Sequence, residues 1–281
     1  MTAVESAPDM PTLSRRHATG AESARSLLFT ILGELALPCG GSAWTSAFID
    51  VLGRLDVEEK AARQALMRTA ADGWLSSERI GRRTQWHLTP AAETLLRDGT
   101  ERIFSFTAVA AEWDGTWTMV FARTPEADRA ARHLVRTRLR WAGFGNPAPG
   151  VWMSPGSARA DRAQEVLDEA GLTDGQIFTA EHRGGSPLSE MVAQAWDLDE
   201  LGRTYDEFVV DFSTPAGKDP IARVVDLVHA WRRFPWIDPG LPTEFLPRRW
   251  SGAQAARLFA RLHAKWAGQA RTAWQELTPA T

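Results

Sequence analysis

Asp56 to Leu88 reads DVEEKAARQALMRTAADGWLSSERIGRRTQWHL, and the fold of the N-terminal third turns on it. At about 100° per residue of α-helix, Ala62, Ala65, Leu66 and Thr69 fall on one side, and Lys60, Arg63, Gln64, Met67, Arg68 and Ala71 on the other. One side is small and apolar; the other is basic and rich in hydrogen-bond donors. Asp56 followed by Glu59 has the form of a capping box and Gly73 supplies a stop, so a helix is expected to run to about Asp72. Glu58 and Glu59 suit the positive end of its dipole. Beyond Gly73 come a strand-like run to Ile80, a turn at Gly81-Arg82-Arg83, and Thr84, Trp86 and Leu88 alternating with Gln85 and His87. That pattern predicts a hairpin with a basic tip.

On the N-terminal side, Ala24, Leu27, Leu28, Ile31, Leu32 and Leu35 lie on one helical face, ended by Pro38, Gly40 and Gly41. A second helix is expected from about Ser42, with Trp44, Phe48, Val51, Leu52 and Leu55 inward. Three helices followed by a two-stranded hairpin is the order of a winged helix-turn-helix, whose third helix enters the major groove while the wing lies along the backbone. Pro90 opens a further helix to about Phe104, which completes a module over 23–104. Residues 1–22 show no apolar periodicity and read as a disordered tail.

On the C-terminal side, a strand at Trp117–Arg123, a helix at Pro125–Trp141, extended chain at Gly143–Ser154, a helix at Arg159–Ala170 and a strand at Gln176–Glu181 give the order βαββαβ. That order predicts a ferredoxin-like middle domain over 105–184. Gly184-Gly185-Ser186 reads as a linker. Residues 185–281 show only helical periods, at about Leu188–Phe212, Asp219–Phe234 and Gln254–Leu277, with a proline-rich crossing at Pro235–Pro247. The expected class is α+β: winged helix, ferredoxin-like centre, helical C-terminal domain.

With 281 residues, 44% of them apolar, and a net charge of −3, the chain can bury substantial cores and does not bind nucleic acid by bulk positive charge. Any basic surface must be local. Residues 21–104 hold 10 Lys/Arg against 11 Asp/Glu, so the basic side of the third helix is a local concentration. No apolar run approaches the roughly 18 residues of a membrane span, and the start lacks the pattern of a secretion signal, so the expected location is cytoplasmic. The single cysteine, Cys39, reads as a small buried or half-buried filler. There is no GxSxG, Walker loop or HExxH, and the six histidines lack ligand spacing. The expectation is a protein that is not an enzyme and holds no metal or cofactor.

Several runs match a known family in a shared order. They are SARSLLFTILGE at Ser23, AARQALMR at Ala61, GWL at Gly73, GRR at Gly81, WDGTWT at Trp113 and LRWAGFG at Leu139. PGVWMSP at Pro149, WDL at Trp196 and HAWRRFPWIDPGLP at His229 continue the series. Together they resemble the PaaX family, the phenylacetic acid degradation repressors, over nearly everything after residue 22. The resemblance implies a homodimeric transcription factor on double-stranded operator DNA, in the type member a repressor of aromatic catabolism relieved by phenylacetyl-coenzyme A.

Lys60, Arg63, Gln64 and Arg68 are the expected DNA contacts on the third helix. Arginines there can donate to guanine or phosphate and Gln64 to adenine, the choice being open. Arg82 and Arg83 are expected on phosphate or in the minor groove. An acyl-coenzyme A effector needs cations beside an apolar slot. Trp231, Arg232, Arg233 and Trp236, near His229 and Asp238, offer one such cluster, though the same tryptophans also fit a helix-packing core. Arg129, Arg132, Arg136 and Arg140 fall within about 80° of one helical face, as either a solvated flank or a phosphate-binding surface. Two rivals stand beside this reading. A non-DNA docking module would lack a steep salt dependence. A metal nuclease is suggested by the similarity of the middle fold to small CRISPR-associated nucleases, which carry aspartates at the end of the first strand. Here that strand ends Phe121-Ala122-Arg123-Thr124 without a carboxylate, and Asp114 before it reads as a turn residue.

Overall fold

Small residues at helix crossings and alternating apolar residues in short strands generate a mixed α+β architecture with two antiparallel sheets. The computed structural model describes residues 21–108, 113–124, 128–214 and 219–279. The expected tail, residues 1–22, lies outside these except for Ala21 and Glu22, which begin the first helix. The described residues form two compact units. One comprises 21–103, 219–230 and 261–279, and the other 104–214 and 231–260.

In the first unit α1 (Ala21–Ile31) continues through a wider π turn at Leu32–Ala36 and a short 3-10 turn at Leu37–Cys39. Gly40 and Gly41 follow at φ 94° and 71°, a left-handed pair that glycine adopts without a Cβ penalty. β1 (Ser42–Trp44), α2 (Thr45–Gly53), α3 (Glu59–Ala71), β2 (Leu75–Ile80), β3 (Arg83–Leu88) and α4 (Pro90–Ser105) complete the series. The sheet order is β1-β3-β2, with Ala43 opposite Trp86 and Ser77 opposite the other edge of Trp86. Residues 42–44 therefore form a strand rather than the first turn of the second helix. Three residues are too few for their apolar spacing to separate the two periods, and pairing with β3 decides between them.

A second expectation also changes. Asp56 does not cap α3; it sits at φ 62° and donates its amide to the Gly53 carbonyl at 3.1 Å, closing the end of α2. Glu58, extended at ψ 144°, is the N-cap, and its carbonyl accepts the first helical bond from Ala62 at 3.0 Å. Parts of α9 (Pro220–Trp231) and α11 (Gly252–Leu277) belong to this unit and cover its core. Trp274 is fully buried edge-on against Phe48 at 5.5 Å. Buried Glu34 meets His263 Nε2 at 2.8 Å, and Arg54 bridges Asp50 and Asp219 at 2.6 and 3.1 Å.

In the second unit the strands are β4 (Thr116–Phe121), β5 (Gly145–Ala148), β6 (Val151–Pro155) and β7 (Gln176–Glu181), in the order β5-β6-β4-β7, all antiparallel. Alternation along β4 sends Val120 into a layer with α5 (Arg129–Trp141) and α6 (Ala160–Glu169), where Val135, Leu139, Ala163, Val166 and Leu167 are buried. Trp117 points the other way, toward Met153, Val192 and Leu241. α7 (Leu188–Ala195) lies on that face. Gly145 permits its approach, since a Cβ there would stand 2.5 Å from the Trp196 ring. The start expected for α5 at Pro125 lies partly outside the described residues; Asp128 caps the helix by accepting from the Ala131 amide at 2.8 Å. The long helix expected over Leu188–Phe212 is instead two, because Trp196 is extended (φ −135°, ψ 141°) and Asp197 caps α8 (Leu198–Ser213). α10 (Phe234–Ile237) interrupts the proline-rich crossing. Among the described residues no helix is long and apolar enough to cross a membrane.

Candidate nucleic-acid interface

α3 buries Ala62, Ala65, Leu66 and Thr69 and leaves Lys60, Arg63, Gln64, Met67 and Arg68 exposed. Two of its four inward residues are alanines, which lets α1 approach closely. Arg63 is not loose. Its guanidinium donates to Glu59 Oε1 through Nε at 2.8 Å and Nη2 at 2.7 Å, one turn back along the same face. This exposed pair contributes little stability but fixes the direction of the guanidinium plane.

The β2–β3 hairpin carries the second group of cations. Gly81 takes φ 61°, the positive value that glycine supplies at the first position of a two-residue hairpin turn, and Arg82 occupies the second position, exposed. Arg83, expected with Arg82 at the tip, opens β3 opposite Ile80. Its guanidinium lies 4.0 Å over the Trp44 ring, a cation–π contact that turns it back toward β1. Trp86 Nε1 donates to Thr45 Oγ1 at 2.9 Å and so ties the hairpin to the start of α2.

In the second unit Arg129, Arg132, Arg136 and Arg140 line the exposed side of α5, while Arg138 beside them reaches Glu169 at 3.5 Å. Trp231 is fully buried. Its ring stacks on Phe259 at 4.8 Å and touches Phe234, Phe208 and Phe106. Trp236 is half-buried against Trp141 at 5.5 Å, so α10 lies beside the C-terminal end of the arginine-bearing helix. Burial pushes the Arg232 guanidinium down to about 10, leaving it charged at neutral pH. Burial also lowers Arg233, opposed by Glu207 and Asp211. His229 belongs to the first unit, where its Nδ1 lies 3.0 Å from Thr30 Oγ1.

Asp238 belongs to a buried polar network that sequence reasoning missed. Tyr205, the sole tyrosine, is fully buried on α8 and donates to Asp238 Oδ2 at 2.6 Å, and the Gly240 amide donates to Oδ1 at 2.7 Å. Arg159 donates to buried Ser154 Oγ at 2.7 Å and sets its charge against Asp238. Burial raises Asp238, opposed by Tyr205, Gly240 and Arg159, and it also drives the Tyr205 hydroxyl far up, so Tyr205 stays a donor. The available signal was compositional: a lone tyrosine in a chain with 13 tryptophans. Asp114 accepts from the Thr116 amide and hydroxyl at 2.9 and 2.7 Å, a turn that lowers its carboxyl. Among the described residues no cluster of His, Cys, Asp and Glu is arranged to hold a metal.

Two antiparallel sheets, each with its own set of helices, and a local cationic helix face define a mixed α+β protein of several parts. Known proteins share this composition of parts. A family model described as PaaX-like protein matches residues 23–92, one described as PaaX protein central Cas2-like domain matches 110–192, and one described as PaaX-like protein C-terminal domain matches 196–276. The transcriptional repressor PaaX of Escherichia coli (strain K12) is 30% identical over 256 residues, which cover 86% of this chain and 79% of that protein. A solved structure, uncharacterized protein Rv0674 from Mycobacterium tuberculosis, shares the fold at TM-score 0.61 and 23% identity, covering 90% of this chain and 98% of that one. The chain belongs to the PaaX family. Its Escherichia coli relative is a transcriptional repressor, in agreement with the expected non-enzymatic role.

Proposed function

We propose that the chain is a DNA-binding transcriptional repressor of a phenylacetate-type aromatic catabolic operon, acting as a cytoplasmic homodimer on an inverted repeat. The observation that carries this reading is the α3 face, where Lys60, Arg63, Gln64 and Arg68 are exposed together in a module without excess positive charge. Three helices, a three-stranded sheet and a basic hairpin tip support a winged helix-turn-helix over 23–104. The strand order β5-β6-β4-β7 supports a ferredoxin-like domain over 105–184, and the segment after it, 185–281, is helical, its helices divided between the two units. In this reading α3 enters the major groove and Arg82 meets phosphate.

Release is assigned to an aryl acyl-coenzyme A. Its phosphates suit Arg129, Arg132, Arg136 and Arg140 together with Arg232 and Arg233, and its aryl group suits Trp236 more than the enclosed Trp231. Binding coupled to DNA must be reciprocal: a preference of about 1 to 3 kcal/mol for the DNA-free form lowers operator affinity roughly 5- to 150-fold and weakens effector binding on DNA equally. Calorimetry with phenylacetyl-coenzyme A on the free protein and on its complex with promoter DNA tests this. Heat of binding on the free protein that falls on the complex is expected. No heat from any aryl acid or thioester would remove the effector from the account.

A further inference from the structure

We infer that Met67 is a specificity-determining residue that reads the methyl group of a thymine, an assignment resting on the proposal that α3 enters the major groove. The other apolar side chains long enough to matter on α3 are inside: Leu66 is fully buried. Met67 is 63% exposed, a large apolar group placed where α3 is otherwise cationic and hydrogen-bonding. Single exposed apolar residues are ordinary on protein surfaces, so exposure alone decides nothing. Its position decides more.

Lys60, Gln64, Met67 and Ala71 succeed one another at i, i+4, i+7 and i+11 and so form the central ridge of the exposed face. Arg63 lies to one side of that ridge and Arg68 to the other, and Arg63 is held there by Glu59. A helix with its side chains is about 10–12 Å across and the major groove about 12 Å wide. The ridge of such a helix therefore faces base edges, and its flanks face the two phosphate walls. This geometry gives Arg63 and Arg68 to the walls and leaves Gln64 and Met67 for the bases.

Met67 has no hydrogen bond to offer a base. The C5-methyl of thymine is the apolar group displayed on the major-groove edge of a base pair, and an unbranched thioether adapts readily to it. Ala71, further along the ridge, is too short to compete for the same contact.

The experiment uses the full-length protein and a duplex selected by it from a random pool. Each thymine in that duplex is replaced singly by uracil, which removes only the methyl group, and affinities of the wild type and of Met67→Ala are measured by fluorescence anisotropy. Met67 is exposed and alanine is a strong helix former, so the variant keeps its fold. We expect a position at which uracil weakens wild-type binding about three- to fivefold, the weight of one buried methyl group. Met67→Ala should lose a similar factor on the thymine duplex and no longer distinguish uracil there, with an unchanged salt slope. A selected duplex with no sensitive thymine, or undiminished sensitivity in Met67→Ala, overturns the assignment alone. Failure to select any duplex overturns the DNA-binding reading and this inference together.

Discussion

The buried side chains of the second unit separate packing from binding most sharply. Trp231, with four phenylalanines against it and no exposed surface, carries the weight of a core residue. Trp231→Ala should therefore cost about 3–5 kcal/mol of stability, measured as a lowered urea midpoint; an unchanged midpoint would return Trp231 to the ligand surface. Asp238 provides a pH signature. Its folded carboxyl is raised above the ordinary 3.8, so between that value and the raised one the folded state holds a proton that the unfolded state has released. Stability contributed by this group is complete below 3.8 and is lost as pH rises through the folded value. Urea midpoints across that window should show wild type losing more stability with rising pH than Asp238→Asn, and parallel profiles would contradict the assignment. Little of this was legible in the sequence. The WRRFPWID run shows aromatic and charged residues together, but not that Tyr205 and Arg159, far away along the chain, converge on Asp238.

Among the elements, α3 was read nearly as it stands, because 13 residues give more than three turns of consistent periodicity. Its start was misplaced because Asp56 has capping chemistry but a left-handed backbone, and conformation outranks composition at a cap. β1 and the break at Trp196 were missed because each has partners distant in sequence: β1 pairs with β3, and the Trp196 ring lies against Gly145 and Trp117. The hairpin was legible from Gly81, yet the two arginines beside it proved unequal, since Arg83 stacks on Trp44 and Arg82 does not share that contact. Arg82→Ala should accordingly weaken binding to all duplexes alike and reduce the slope of log K against log salt by about 1, with sequence preference kept. Arg83→Ala should change the slope less. Equal slopes for wild type and Arg82→Ala, together with an altered consensus, would mean that the turn reads bases instead.

For the molecule as a whole, the C-terminal helices do more than the sequence suggested. Composition and order indicated three consecutive domains, but residues 219–230 and 261–279 pack in one unit with the N-terminal helices, through Glu34–His263, Arg54–Asp219 and Phe48–Trp274. Periodicity reveals that such helices are amphipathic and leaves open which surface they cover. The central claim, that the exposed face of α3 recognises operator DNA, is tested most directly by DNase footprinting of the promoter beside the gene, with wild type and the double variant Arg63→Ala, Arg68→Ala compared at equal salt. The account predicts a protected inverted repeat for the wild type and loss of protection in the variant at concentrations at least tenfold higher, each side chain contributing about 1 kcal/mol or more. The same protection at the same concentration in both proteins would contradict it.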